Sequence, residues 1–268
     1  MRRLRIMVAC LVGACAFGAL AASGASAALP ELGRCVKSAT KTGAFTRSKC
    51  VAIAKKHNGE WEWEPGPGAK KAVKELLNSA VLETTTHEKI SCANLQLSGE
   101  YTGAKTDKFT KFLAQGCENV THHTVCYTNP LAPSIIESEV PLVGELGFVP
   151  GSKNETNPFV GWDLKSENSS VPIATFFCGE AKGMITFMLE GSVIGRVTKT
   201  NIMEPAFGIT FKQAAGIQAL TAFIGGSEDV LKLAEKPFGS TETITNQAAL
   251  AGAGALNDEE PLEIKAKV

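Results

Sequence analysis

Along much of this chain apolar and polar residues take turns one by one, and that period of two restricts its fold more than any other feature. Phe207, Ile209 and Phe211 alternate with Gly208, Thr210 and Lys212, while Leu262, Ile264, Ala266 and Val268 alternate with Glu263, Lys265 and Lys267. Successive side chains of a strand point to opposite faces, so such runs predict half-buried strands. MITFMLE at 184–190 passes through Gly191 and Ser192 into VIGRVTK, which predicts a hairpin or a bulged strand. Further strands are expected at 81–86, 89–97, 108–114, 124–128, 135–139, 142–149, 160–164, 173–178, 219–224 and 241–245. So many short strands, punctuated by Gly, Pro and Asn, predict an all-β fold: an antiparallel sandwich or barrel with little helix. Two stretches also carry helical spacing. Ala72, Val73, Leu76 and Leu77 do so within 69–77, and Ser227-Glu-Asp229 is placed to cap a short helix through Leu233, although Leu231 and Leu233 alternate as well.

The N-terminus sets the compartment. Three arginines in the first five residues precede an apolar run from Ile6 to Ala22 and a small-residue tail, Ser23 to Ala27, the order of a secretory signal peptide cut after Ala27. The run is shorter than the ~20 residues a bilayer core requires, so no transmembrane span is expected in the mature chain, which is read as secreted. A lipid anchor at Cys15, in VGAC, is the alternative, and it would leave an apolar region of only six residues, Ile6 to Leu11. Removing 1–27 takes three of 27 basic residues and none of 27 acidic ones, leaving 24 against 27, a net of −3. With no Lys/Arg cluster in view, that balance argues against nucleic acid as a partner. The expected organisation is a signal peptide at 1–27, a disulfide-clipped segment at 28–68 ending in the linker EPGPG, and a β-rich domain at 69–268.

Six cysteines survive processing: Cys35, Cys50, Cys92, Cys117, Cys126 and Cys178. An even number in an exported chain predicts three disulfides. QGCENVTHHTVC, from Gln115 to Cys126, also poses a metal site or a Cys-His nucleophile. Adjacent His122 and His123 on a strand face opposite ways, and structural zinc sites space their ligand pairs more widely. A Cys-His nucleophile would need a reduced thiol and a third, orienting group. The expected map pairs Cys35 with Cys50 and Cys117 with Cys126, each across a short polar segment, and leaves Cys92 with Cys178.

LPELGRCVK, GAFTRSKC, GEWEWEPGPG, ISC followed by GEYTGAKT, then GCE, LVGELGF, VGWDL, GSVIG and the closing NDEEPLEIKA occur in that order. In this the chain resembles a large family of secreted, disulfide-containing, β-rich proteins of soil actinobacteria. The resemblance spans nearly the whole mature chain. It implies secretion, an all-β fold and paired cysteines, and it implies no activity. The chain departs from the family pattern at AKKAVKELLNS, 69–79.

The inventory for catalysis is thin: four aspartates (Asp107, Asp163, Asp229, Asp258) and four histidines (His57, His87, His122, His123). No G-x-S-x-G, H-E-x-x-H, Walker or EF-hand pattern is present, so no catalytic residue, metal or cofactor is assigned. Among 23 glutamates, a pair brought ~5 to 9.5 Å apart by the fold would allow glycosidase chemistry. The one binding signal is Glu60-Trp-Glu-Trp-Glu64. On a strand, Trp61 and Trp63 share a face, which offers either a two-ring platform for a sugar or a piece of core. Trp162 is assigned to the core. Asn119, Asn154 and Asn168 begin N-x-[ST] triplets, which matter only in a eukaryotic secretory route. The leading expectation is a secreted, non-catalytic β protein that binds an extracellular or cell-envelope ligand such as a glycan. The alternative is a secreted hydrolase using two glutamates.

Overall fold

Alternation carries through into strands almost everywhere. The computed structural model describes residues 29–39, 41–151 and 159–266. The expected signal peptide with Cys15, the Asn154 triplet, and the end of the last alternating run at 267–268 lie outside the described residues.

Eighteen strands are found among the described residues, and every pairing is antiparallel. They are β1 (Glu31–Lys37), β2 (Trp61–Pro65), β3 (Ala72–Thr84), β4 (Lys89–Cys92), β5 (Asn94–Tyr101) and β6 (Thr106–Gln115). Next come β7 (Glu118–Asn119), β8 (Thr124–Tyr127), β9 (Ile135–Glu137), β10 (Leu142–Val149), β11 (Phe159–Ser166) and β12 (Ala174–Cys178). The chain ends with β13 (Ile185–Thr198), β14 (Glu204–Phe211), β15 (Gln213–Ala214), β16 (Ile217–Gln218), β17 (Leu231–Pro237) and β18 (Ile244–Lys265).

Hydrogen-bonded neighbours close two rings. The first runs β3–β5–β6–β10–β11–β13–β14–β18 and back to β3. The second runs β3–β4–β7–β8–β12–β13–β17–β18 and back to β3. They share β3, β13 and β18, each of which gives one half of its length to each ring, so the two rings stand end to end as a barrel. Of the two architectures expected from sequence, this is the barrel, and closure leaves the rings without free edges. Register shifts at Ser98/Gly99, Gly252/Gly254 and Glu204/Ala206 bend the strands where the wall must curve. Inward side chains of both rings form one continuous core with Trp162, Phe109, Phe176, Phe187 and Phe207 fully buried.

β1 lies against the last residues of β18 and carries β2 outward. The segment up to residue 68 therefore extends the sheet while packing its own small cluster of Cys35, Phe45 and Cys50 against Trp61 and Trp63.

Several expectations need correction. Residues 72–84 form the long strand β3, not a helix; Val73, Glu75 and Leu77 face inward, and a buried Glu75 in the apolar phase is what disguised the alternation. The helical alternative through Leu233 gives way to β17, with Leu231 and Leu233 facing inward. Of the hairpin and the bulged strand expected at 184–198, the hairpin does not form: Ile185–Thr198 is one continuous strand, β13. The span 219–224 is a loop with one isolated bridge, Ala222 to Glu228.

The disulfides are Cys35–Cys50, Cys92–Cys117 and Cys126–Cys178, so the first expected pair stands and the other two are exchanged. The reason is ladder geometry. Cys92, Cys117, Cys126 and Cys178 form one row across β4, the start of the β7–β8 hairpin, and β12. Cys117 and Cys126 do sit opposite each other, but as a hydrogen-bonded pair, with the Cys126 N–H donating to the Cys117 carbonyl. Such pairs are the wide ones of an antiparallel ladder. The flanking pairs are narrow, with Cα separations of 4.0 and 4.1 Å, and there the sulfurs join.

Candidate functional site

The barrel interior holds two features of different chemistry, one where the rings meet and one inside the first ring. At the junction is a cavity of about 100 Å³. Ala80 on β3, Phe112 and Ala114 on β6, Leu142 on β10, Phe176 on β12 and Leu231 on β17 all line it. Its walls are drawn from strands of both rings, which places it where the rings meet. Every lining side chain is apolar, so a water inside would find no partner and the space is dry. At ~24 cal/mol per Å³, leaving it empty costs about 2 kcal/mol of stability.

Inside the first ring lies a group of acids. Glu75 is 1% exposed and neither of its carboxyl oxygens has a hydrogen-bond partner. It stands between Leu97 on β5 and Leu256 on β18, and burial, reinforced by the negative charge of Asp107, pushes its pKa up to about 8. Asp107, 4% exposed, accepts a hydrogen bond at Oδ2 from the Trp162 indole N–H (2.9 Å), while Oδ1 has no partner. Burial raises its pKa to about 7 against the opposing effects of the Trp162 bond and the Gly144 backbone N–H. Asp258 accepts from the Tyr101 hydroxyl at Oδ1 (2.7 Å) and leaves Oδ2 without a partner, and burial lifts it to about 7 as well. Tyr101 is driven well above its usual value by burial and by the two aspartates. Gly144 is required beside them. A Cβ there would overlap both the Asp107 carboxylate and the Trp162 ring nitrogen. A small space beside this group, between Tyr101, Asp107 and Trp162 and under Leu32 and Ile264, is about 10 Å³.

The residues singled out from sequence fall elsewhere. Trp61 and Trp63 are half-buried against the Cys35–Cys50 cluster. The Trp63 indole N–H donates to Glu31 (2.6 Å), and the Lys265 ammonium sits 4.5 Å from the centres of both the Trp63 and Phe45 rings. Lys265 also donates to the Cys50 carbonyl, and its burial lowers its pKa. His122 and His123 diverge at the tip of the β7–β8 hairpin. His122 Nε2 lies 3.3 Å from Glu88, while His123 lines an exposed hollow with Tyr127 and Pro133. Among the described residues no three His, Cys, Asp or Glu side chains are disposed to hold a metal ion, and no helix is long and apolar enough to cross a membrane.

Sequence reading passed over Glu75, Asp107 and Asp258 as solvated strand residues or mere members of a count. Their signal was positional, because each occupies the inward phase of a strand. Comparison of the chain with protein-family models, with curated proteins and with solved structures gives no match in any of the three.

Proposed function

We propose that this chain is an exported, non-catalytic binding protein whose ligand is a compact apolar molecule held inside the barrel. The observation that carries the reading is the cavity at the ring junction, lined by apolar side chains alone. A site with no polar wall selects by size and hydrophobicity, and filling it returns the contacts its lining forgoes. At about 100 Å³ it is somewhat smaller than the ~150 Å³ apolar cavity that accepts benzene or xenon, so benzene marks the upper limit of size and xenon lies within it. Export rests on the N-terminal arginines with their apolar run and on the three disulfides.

A hydrolase would need its carboxyls to meet a substrate. The acids gathered inside the first ring are Glu75, Asp107 and the partly buried Asp258, and the space that Asp107 lines there is about 10 Å³, which admits no sugar ring. A glycan platform at Trp61 and Trp63 would need ring faces that Lys265 and the Cys35–Cys50 cluster already cover in part.

The test is thermal unfolding under xenon pressure and with benzene, using glycerol as a polar control of similar size. Occupancy at a hundred times Kd stabilises by ~2.7 kcal/mol, so the melting temperature should rise by several degrees with the apolar ligands alone. Equal shifts with glycerol, or none with benzene and xenon, would defeat the reading.

A further inference from the structure

The near-zero formal charge of the chain conceals a sharp division. Residues 32–59, a basic lobe, carry seven lysines and arginines and no acid; with Glu31, Glu60, Glu62 and Glu64 the whole segment 29–68 is +3, whereas 69–268 carry 17 basic and 23 acidic residues, a body of −6. The lobe is a small, tightly built hairpin. The Thr46 N–H donates to the Ala52 carbonyl (2.8 Å), the Ala54 N–H to Ala44 (2.7 Å) and the Phe45 N–H to Trp61 (2.9 Å). Cys50 is bound covalently to Cys35 on β1, and its carbonyl accepts from Lys265. That framework holds the tip rigidly beside the end of β18.

The tip displays its chemistry outward. Arg47, Lys49, Lys55 and Lys56 are exposed and form no ion pair with a described residue. Of the neighbouring acids, Glu60 is engaged by Lys41 and both Glu64 and Glu260 by Arg34, while Glu62 accepts the Ala44 N–H and Glu31 the Trp63 indole N–H. Among these cations Val51 and Ile53 are 57% and 68% exposed. Isolated exposed aliphatics are ordinary, but two on one clipped tip, flanked on both sides by unpaired cations, make a surface that is both basic and apolar.

We infer that this tip docks the protein onto an anionic lipid bilayer, with Val51 and Ile53 entering the headgroup boundary and Arg47, Lys49, Lys55 and Lys56 meeting the lipid phosphates. Charge complementarity supplies the attraction, and the acidic body, repelled by the same surface, orients the lobe toward it. The aliphatic pair decides between occupants. A soluble polyanion gains nothing from Val51 and Ile53, whereas a bilayer gives their side chains somewhere to be buried.

Sedimentation of the oxidised, exported protein with phosphatidylglycerol vesicles tests this, with phosphatidylcholine vesicles and soluble polyphosphate as comparisons. Binding should favour phosphatidylglycerol and weaken as salt rises. Each cation contributes about fivefold to partitioning, so a Lys49→Gln, Lys55→Gln, Lys56→Gln variant should lose about a hundredfold. A Val51→Ser, Ile53→Ser variant should lose vesicle binding while keeping any affinity for polyphosphate. The substitutions are on exposed side chains, and unchanged melting curves will confirm intact folding. Absence of binding to phosphatidylglycerol, or vesicle binding indifferent to Val51→Ser and Ile53→Ser, overturns the inference. The second result would assign the lobe to a soluble polyanion. Neither outcome touches the interior cavity, whose ligand is tested without lipid.

Discussion

The two rings of the barrel share three long strands and are otherwise held by opposite means. The second ring is built from fragments: β7 is two residues long, β4 and β8 are four, and the ladders joining β4 to β7, β7 to β8 and β8 to β12 are two residues each. Both barrel disulfides lie across those ladders. The first ring has no disulfide. Its ladders run over six residues at β3–β5 and eight at β5–β6 and β10–β11, and it contains Glu75, Asp107 and Asp258 with oxygens that no group satisfies. Long ladders can carry the cost of desolvated acids, whereas short ones have to be joined covalently. The first ring should therefore answer to pH and the second to reductant.

The largest effect expected from that contrast is the pH dependence of the first ring. Glu75, with its pKa raised from 4.5 to about 8, keeps its proton in the folded state after the unfolded chain has released it. Stability is therefore complete below about pH 4.5, falls as pH rises toward 8, and levels off beyond; Asp107 and Asp258, each raised from 3.8 to about 7, add to the same slope. For Glu75 alone the loss is on the order of 5 kcal/mol. Denaturant titrations at pH 5 and pH 8.5 should show it, and Glu75→Gln should remove somewhat less than half of the slope. A stability that rises between those two pH values would mean that Glu75 has a cation partner or reaches water.

Second in size is the loss of a disulfide from the second ring. Closing the loops 92–117 and 126–178, with separations of 25 and 52 residues, is worth about 3.5 and 4 kcal/mol in the chain-entropy model. Replacing Cys126 and Cys178 by Ala should therefore cost slightly more than replacing Cys92 and Cys117. Hydrogen exchange should speed up first in β7, β8 and β12, leaving β5, β10 and β11 protected. The pH slope should be unaltered in both variants. If it changes, the rings are one cooperative unit and the contrast between them fails.

How much of this could be read from the sequence follows from the same contrast. Where a strand kept strict alternation, as β14 does, its position was legible because burial and period agree; the end of β18 alternates in sequence but is buried on both faces, Glu263 and Lys265 included. Glu75 broke the pattern in AVKELL and turned a strand into an apparent helix; a local rule failed where the structure buries a charge-bearing group without a partner. The cysteine pairing depended on whether Cys117 and Cys126 face each other as a wide or a narrow pair, a fact set by register and not by proximity along the chain. The basic lobe was hidden by averaging. Its cations are spaced through 34–56 rather than run together, so a search for clusters missed them and the net of −3 absorbed them. The cavity could not be read at all, since it is the residue left when sixteen side chains from two rings fail to meet.

The smallest expected effect tests where the two rings join. Ala114 lines the cavity from β6, paired with Leu95 on one side and Ile136 on the other, and it is buried. Ala114→Val adds two methyl groups, each worth ~0.8 kcal/mol when buried, and valine suits a strand. Part of that gain goes to adjusting the wall, so the net stabilisation should be about 1 kcal/mol, read as a small rise in the denaturation midpoint with an unchanged slope. The same substitution should reduce the benzene and xenon shifts, because the added methyls take up the space those ligands need. The combination is informative in a way that neither half is. Stabilisation with loss of the ligand shift marks the cavity as the binding site. A ligand shift that survives unaltered places the apolar ligand elsewhere on the molecule. Destabilisation would mean that the wall at Ala114 is already closely packed and that the junction of the rings, like the rings themselves, has no room to give.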